Sequence, residues 1–149
     1  MGLVVLDASI VVPLVVLHPL TPVAENCLRY WKREYYRLTA PCFMPVEVAS
    51  ALRQAVYSGK MESRQALEAL EIVMSLGIEL VMPGFETLQA SLRWAERLGQ
   101  SKAYDAQYVA LAESLNADLW SADRRLVNAL QALGATWAHW IGEMSSRDD

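Results

Sequence analysis

The stretch Leu3-Val4-Val5-Leu6-Asp7-Ala8-Ser9 decides how this chain folds. Four successive apolar residues suit a strand covered on both faces, as in the middle of a parallel sheet, and too few apolar positions follow in register for an amphipathic helix. The run stops at a carboxylate. Ligands of open α/β sheets bind beyond the carboxyl ends of the strands, so an acid there is placed to do chemistry; the plainer reading is a helix N-cap.

Outward from this strand, apolar strands alternate with longer helical patterns. Residues 8–17 predict a short helix interrupted near Pro13, and residues 18–22, with two prolines, a turn. A helix over 23–36 leads to a weak strand at 37–40, closed by Pro41. Residues 43–57 predict a strong helix, with Pro45 in its first turn and Gly59 past its end. Its core stripe runs through Met44, Val48, Ala51, Leu52, Ala55 and Val56, with Glu47 at the margin.

Helices at 62–76 and 85–98 bracket a strand at 78–82; the first should turn Leu67, Leu70, Val73 and Met74 inward. Ser101 reads as the N-cap of a helix over 102–115 whose inward arc holds Tyr104, Tyr108, Val109, Leu111, Ala112 and Leu115. Asp105 lies inside that arc. A strand at 118–121 runs into Asp123, followed by a helix over 124–133 and an edge strand over 135–140. The expected fold is α/β, a mainly parallel sheet flanked by helices on both faces. Right-handed crossovers put Asp7 and Asp123 at the same sheet edge.

At 149 residues the chain fits one domain, expected over 1–142, with 143–149 as a polar C-terminal tail. It is 54% hydrophobic and 20% charged, a globular composition. Cys27 and Cys42 form no CxxC, and there are two histidines, so a thiolate or imidazole metal site is not expected and a reducing, cytoplasmic setting is. The longest apolar runs are broken at Asp7 and Pro13, and no basic segment precedes them, so neither a signal peptide nor a membrane span is expected.

Asp7, Glu47, Asp105 and Asp123 are the acids that the pattern singles out. A carboxylate on the apolar side of a helix, like Asp105, is costly unless paired or bound to a cation. With those four set aside, 13 acids balance 13 Lys and Arg, so the net charge of −4 does not exclude a polyanionic substrate. Four oxygen donors without His or Cys form the ligand set of a hard cation, Mg²⁺ or Mn²⁺. Phosphodiester hydrolysis is the chemistry that most often needs such a site. Lys102, Arg124 and Arg125 border these acids in sequence and are candidate contacts to the phosphates of such a substrate.

Four segments carry a family resemblance: residues 5–9 (VLDAS), 45–52 (PVEVASAL), 104–113 (YDAQYVALAE) and 119–126 (LWSADRRL). In this order they resemble the signature segments of PIN-domain ribonucleases, particularly VapC-type toxins. The resemblance implies a five-stranded parallel sheet of order 3-2-1-4-5. It also implies that Asp7, Glu47, Asp105 and Asp123 are metal-binding acids of an endoribonuclease, with Ser9 and Ser121 as supporting hydroxyls; family members usually have Thr at the position of Ser121. The partners it implies are RNA, a small cognate antitoxin and a second copy of the chain. Trp31, Trp94, Trp137 and Trp140 exceed what a core of this size readily conceals, so one or more is expected at such an interface. Two rival readings are a PIN-fold RNA-binding or regulatory module without catalysis, and a phosphatase of the haloacid dehalogenase type. The phosphatase motif needs a second Asp two residues after the first, where this chain has Ser9.

Overall fold

The computed structural model describes residues 2–146. Strand β1 (Leu3–Leu6) lies at the centre of the sheet, between β2 (Arg37–Pro41) and β4 (Asp118–Ser121). The short strands β3 (Glu79–Val81) and β5 (Ala138–Trp140) form the edges, giving the order β3-β2-β1-β4-β5 with every pairing parallel. This is the expected order. Three-residue edges leave little unpaired backbone as a template for another chain.

The apolar run of β1 serves both faces of the sheet, which is why it does not alternate with polar residues. Val4 and Leu6 pack with Trp31, Trp120 and Ile141, whereas Val5 packs on the opposite face with Val48, Val109 and Leu119. Helices α1 (Ala8–Val15) and α2 (Thr21–Arg33) follow β1; α3 (Met44–Tyr57) and α4 (Ser63–Met74) follow β2. Helices α5 (Phe85–Arg97) and α6 (Tyr104–Leu115) separate β3 from β4, and α7 (Arg124–Ala132) precedes β5. Helix α6 buries residues 108–112 without a break, because the sheet lies on one side of it and α5 on the other. Asn116, at φ 51°, ends it in the left-handed conformation that Asn tolerates.

Several expectations change. Helix α1 continues through Pro13, whose carbonyl accepts the Thr21 hydroxyl at 2.6 Å. Pro22 does not prolong a turn but occupies the first turn of α2, where its missing N–H goes unneeded. That helix stops at Arg33, and Tyr35 at φ 59° turns the chain into β2. Ser101 caps nothing: α6 starts at Tyr104 behind Ala103, which offers no side-chain cap. Tyr104 is 61% exposed, and Leu67 (67%) and Met74 (58%) also point outward, because α4 buries only the narrow seam of Ala69 and Val73.

Residues 143–146, expected in the polar tail, lie in regular structure. Ile141–Ser146 forms a 3₁₀ helix, and Met144 is buried among Ile10, Trp31 and Ile141. His139 braces this segment, with Nδ1 at 3.5 Å from Glu143 Oε2 and Nε2 at 3.4 Å from Asp118 Oδ1. Residues 147–149 lie outside the described residues. Trp31 and Trp94 are core residues, and Trp137 and Trp140 are half-buried. Trp137 stands edge-on to Trp94 at 6.0 Å, and Trp140 lies under Arg124, so these rings close the fold's own surface.

Candidate active site

Sheet topology decides where the acids go. A helix that joins parallel strands runs back against them, so its N-terminus lies at the carboxyl edge of the sheet. Each candidate acid occupies such a helix start: Asp7 caps α1, Glu47 is in the first turn of α3, Asp105 is in the first turn of α6, and Asp123 caps α7. Unpaired N–H groups and the helix dipole favour negative charge there.

Asp7 is the best-anchored of the four. It is buried, and it accepts the Ser9 amide at 3.0 Å and the Ser121 hydroxyl at 2.9 Å. Since the single Ser121 hydrogen goes to Asp7, the Ser9 hydroxyl is the donor across the 3.3 Å Ser9–Ser121 contact, and it accepts the Ala122 amide at 2.9 Å. Ser121 also accepts the Asp123 amide at 3.0 Å. The two hydroxyls therefore tie the ends of β1 and β4 together.

The other acids each hold their own donor. Tyr108 donates its hydroxyl to Glu47 Oε1 at 2.7 Å, and Gln100 donates from Nε2 to Asp105 Oδ2 at 3.2 Å. Asp123 Oδ1 accepts the amides of Arg125 and Leu126 at 3.1 and 3.2 Å and faces solvent. Tyr108 and Gln100 were not singled out by the sequence pattern. Tyr108 stands three residues after Asp105 on the inward arc, which is a signal that it meets what Asp105 meets; for Gln100 we find no such signal.

Mutual repulsion links the four. Burial, above all, raises the Asp7 carboxyl from 3.8 to about 6, with Asp105 and Glu47 adding to the rise and the Ser9 and Ser121 bonds opposing it. Burial and then Asp105 hold Glu47 above its ordinary range, against the Tyr108 bond. Burial and then Asp123 do the same to Asp105. Tyr108 is pushed far up by burial and by its bond to Glu47, which keeps it a donor at any working pH.

Among the described residues no Lys, Arg or His forms an ion pair with any of these four acids. Four mutually repelling, oxygen-only donors without a protein cation fit a divalent metal ion in chemistry. As placed, however, no three His, Cys, Asp or Glu side chains among the described residues stand together as a finished cage. The separate donors account for this, since each carboxylate leans on its own partner.

The neighbouring cations differ in freedom. Lys102 is exposed in the loop before α6 and, with Gln100, Ser101, Tyr104 and Asp105, lines an open cavity of about 480 Å³. Arg124 lies over the Trp140 ring at 4.5 Å, so part of its guanidinium is engaged. The Arg125 side chain is exposed beside the Asp123 cap.

This fold and its acid edge define a PIN-domain protein: residues 5–137 match the family model described as PIN domain, and the chain belongs to that family. Among curated proteins it is similar to ribonuclease VapC9 of Mycobacterium tuberculosis, 37% identical over 98 residues, which span 64% of this chain and 72% of that protein. Among solved structures it resembles PAE2754 from Pyrobaculum aerophilum, with a TM-score of 0.70 at 24% identity, covering 98% of this chain and 94% of that one. It also resembles VapBC2 from Rickettsia felis, solved bound to a DNA fragment from their promoter, with a TM-score of 0.67 at 15% identity over 93% of this chain and 98% of that one. At these identities the structural likenesses speak for the fold.

Proposed function

We propose that the chain is a divalent-metal-dependent endoribonuclease that cleaves single-stranded RNA, and that it acts as the toxin of a toxin–antitoxin pair. The observation that carries this reading is the delivery of Asp7, Glu47, Asp105 and Asp123 to helix starts at one sheet edge, mutually repelling and with no ion-pairing cation among the described residues. Membership of the PIN family and the likeness to a VapC ribonuclease support it.

In this reading the four carboxylates hold Mg²⁺ or Mn²⁺, which supplies an activated water and neutralises charge building on the phosphorus. The chain's own contributions are positional. Ser121 and Ser9 fix the Asp7 carboxylate, Tyr108 fixes Glu47, and Gln100 restrains Asp105. Lys102 and Arg125, with Arg124 contributing less, hold the phosphates on either side of the bond to be cut.

The deciding experiment is cleavage of single-stranded RNA with and without Mn²⁺, using Asp105→Asn as control. Cleavage that needs both the ion and Asp105 supports the reading; RNA binding without cleavage by the wild-type chain replaces it with the regulatory-module reading. VapBC2 pairs two components, and this reading gives the present chain a small antitoxin partner, a cytoplasmic setting and a homodimeric state. Among the described residues no helix is long and apolar enough to cross a membrane. Expression of the chain should slow host growth, and co-expression of the adjacent gene should restore it. A harmless wild-type chain would end the toxin assignment and leave the nuclease assignment standing.

A further inference from the structure

We infer that Tyr108 is a positioning residue of the site: its hydroxyl holds Glu47 Oε1 and so ties the carboxylate on α3 to the helix that carries Asp105. The inference rests on the site assignment above. Its own support is the geometry of three residues.

Glu47 and Asp105 stand on different helices, α3 and α6. A glutamate has three side-chain torsions, and Glu47 is only half-buried, so packing alone does not fix its carboxylate. Tyr108 supplies what packing does not. It belongs to α6, one turn beyond Asp105, is fully buried, and is wedged edge-on against Phe43 at 5.5 Å, just before α3 begins. The 2.7 Å bond from this immobile ring to Glu47 thus spans the two helices.

A phenol facing a carboxylate can only donate, which occupies one lone-pair site of Oε1 and leaves Oε2 and the other lone pair of Oε1 open to a cation. An ordinary core tyrosine would keep its packing role without the hydroxyl; this one would not keep its role toward Glu47.

The test compares wild type, Tyr108→Phe, Glu47→Gln and the double variant by Mn²⁺ affinity, read from the electron paramagnetic resonance of free Mn²⁺. The crystal structures of the metal-free wild type and Tyr108→Phe are compared alongside. Phe keeps the ring, so the metal-free variant should fold and melt close to wild type. Its Mn²⁺ affinity should fall by about 10- to 100-fold, the usual loss when a hydrogen-bond partner of a metal ligand is removed. Its Glu47 carboxylate should leave the single wild-type position. In the Glu47→Gln background the Tyr108→Phe change should add little, since the ligand it serves is gone. Wild-type affinity in Tyr108→Phe, or an equal further loss in the Glu47→Gln background, overturns the inference. If Glu47→Gln itself binds Mn²⁺ like wild type, the assignment of Glu47 fails and takes this inference with it; a loss in Glu47→Gln with none in Tyr108→Phe removes Tyr108 alone.

Discussion

Ser121 and Asp7 continue the pairing of β4 and β1 one residue past the last paired positions, Leu6 and Trp120, and Ser121 donates its hydroxyl to Asp7 Oδ2 at 2.9 Å. Sheet pairing thus hands over directly to site chemistry. The Asp7 backbone amide still bonds to Trp120 oxygen at 3.1 Å, so the carboxylate is aimed by the ladder itself.

Removing that hydroxyl should be felt twice. Ser121→Ala takes a donor from buried Asp7 and an acceptor from the Asp123 amide, and it should destabilise the chain by about 1–3 kcal/mol in urea unfolding. Ser121→Thr keeps the oxygen and should retain most RNA cleavage. A Thr variant as impaired as the Ala variant would show that volume, not the hydroxyl, matters here.

The raised Asp7 pKa carries a sign. The folded chain binds this proton more tightly than the unfolded chain, so the stabilisation is complete below pH 3.8, is lost as the pH rises through about 6, and is then gone. For this buried group the loss amounts to about 3 kcal/mol. Metal-free protein should therefore weaken between about pH 4 and pH 6, and Asp7→Asn should flatten that fall. Chemical denaturation across this range, in chelator, reads it directly; an unchanged slope in Asp7→Asn would move the origin to another acid.

The four acids should behave as one unit in cleavage. Replacing any of Asp7, Glu47, Asp105 or Asp123 by its amide should remove most activity, and double changes should cost little more. Two single variants near wild-type rates would break the shared site. Asp105→Asn should also leave the metal-free fold as stable or more so, because it removes a charge repelled by its neighbours.

Cations near the edge should contribute unequally. Lys102→Ala should reduce the log–log salt slope of RNA binding by roughly 0.7, the value for one lost phosphate contact on a single strand. Arg124→Ala should change it less, since Arg124 lies over Trp140. Equal effects from the two would mean that RNA draws Arg124 off the ring.

The central strand with Asp7, and Asp123 after β4, were legible because a buried parallel strand leaves a one-dimensional trace, an apolar run with an acid beyond its end; Glu47 and Asp105 showed on helical wheels, and the strand order came only from the family resemblance. What escaped was set by contacts between distant segments. Tyr104 fits the inward arc of a helical wheel, yet α6 starts only at Tyr104, and a residue in a first turn lies beyond the sheet that would cover it. Residues 143–146 look polar, but one methionine and the His139 brace suffice to dock them. The bond from Tyr108 to Glu47 spans 61 residues, and no local pattern announces it.

The alternation of β4 makes the site a matter of counting. Leu119, Trp120 and Ser121 point in turn to opposite faces, Trp120 into the core on one side and Ser121 toward Asp7 on the other. A single residue gained or lost between Asp118 and Ser121 would exchange those two directions, presenting an indole to Asp7 and a hydroxyl to a greasy interior. The length of this edge is a quantity with no neighbouring allowed value.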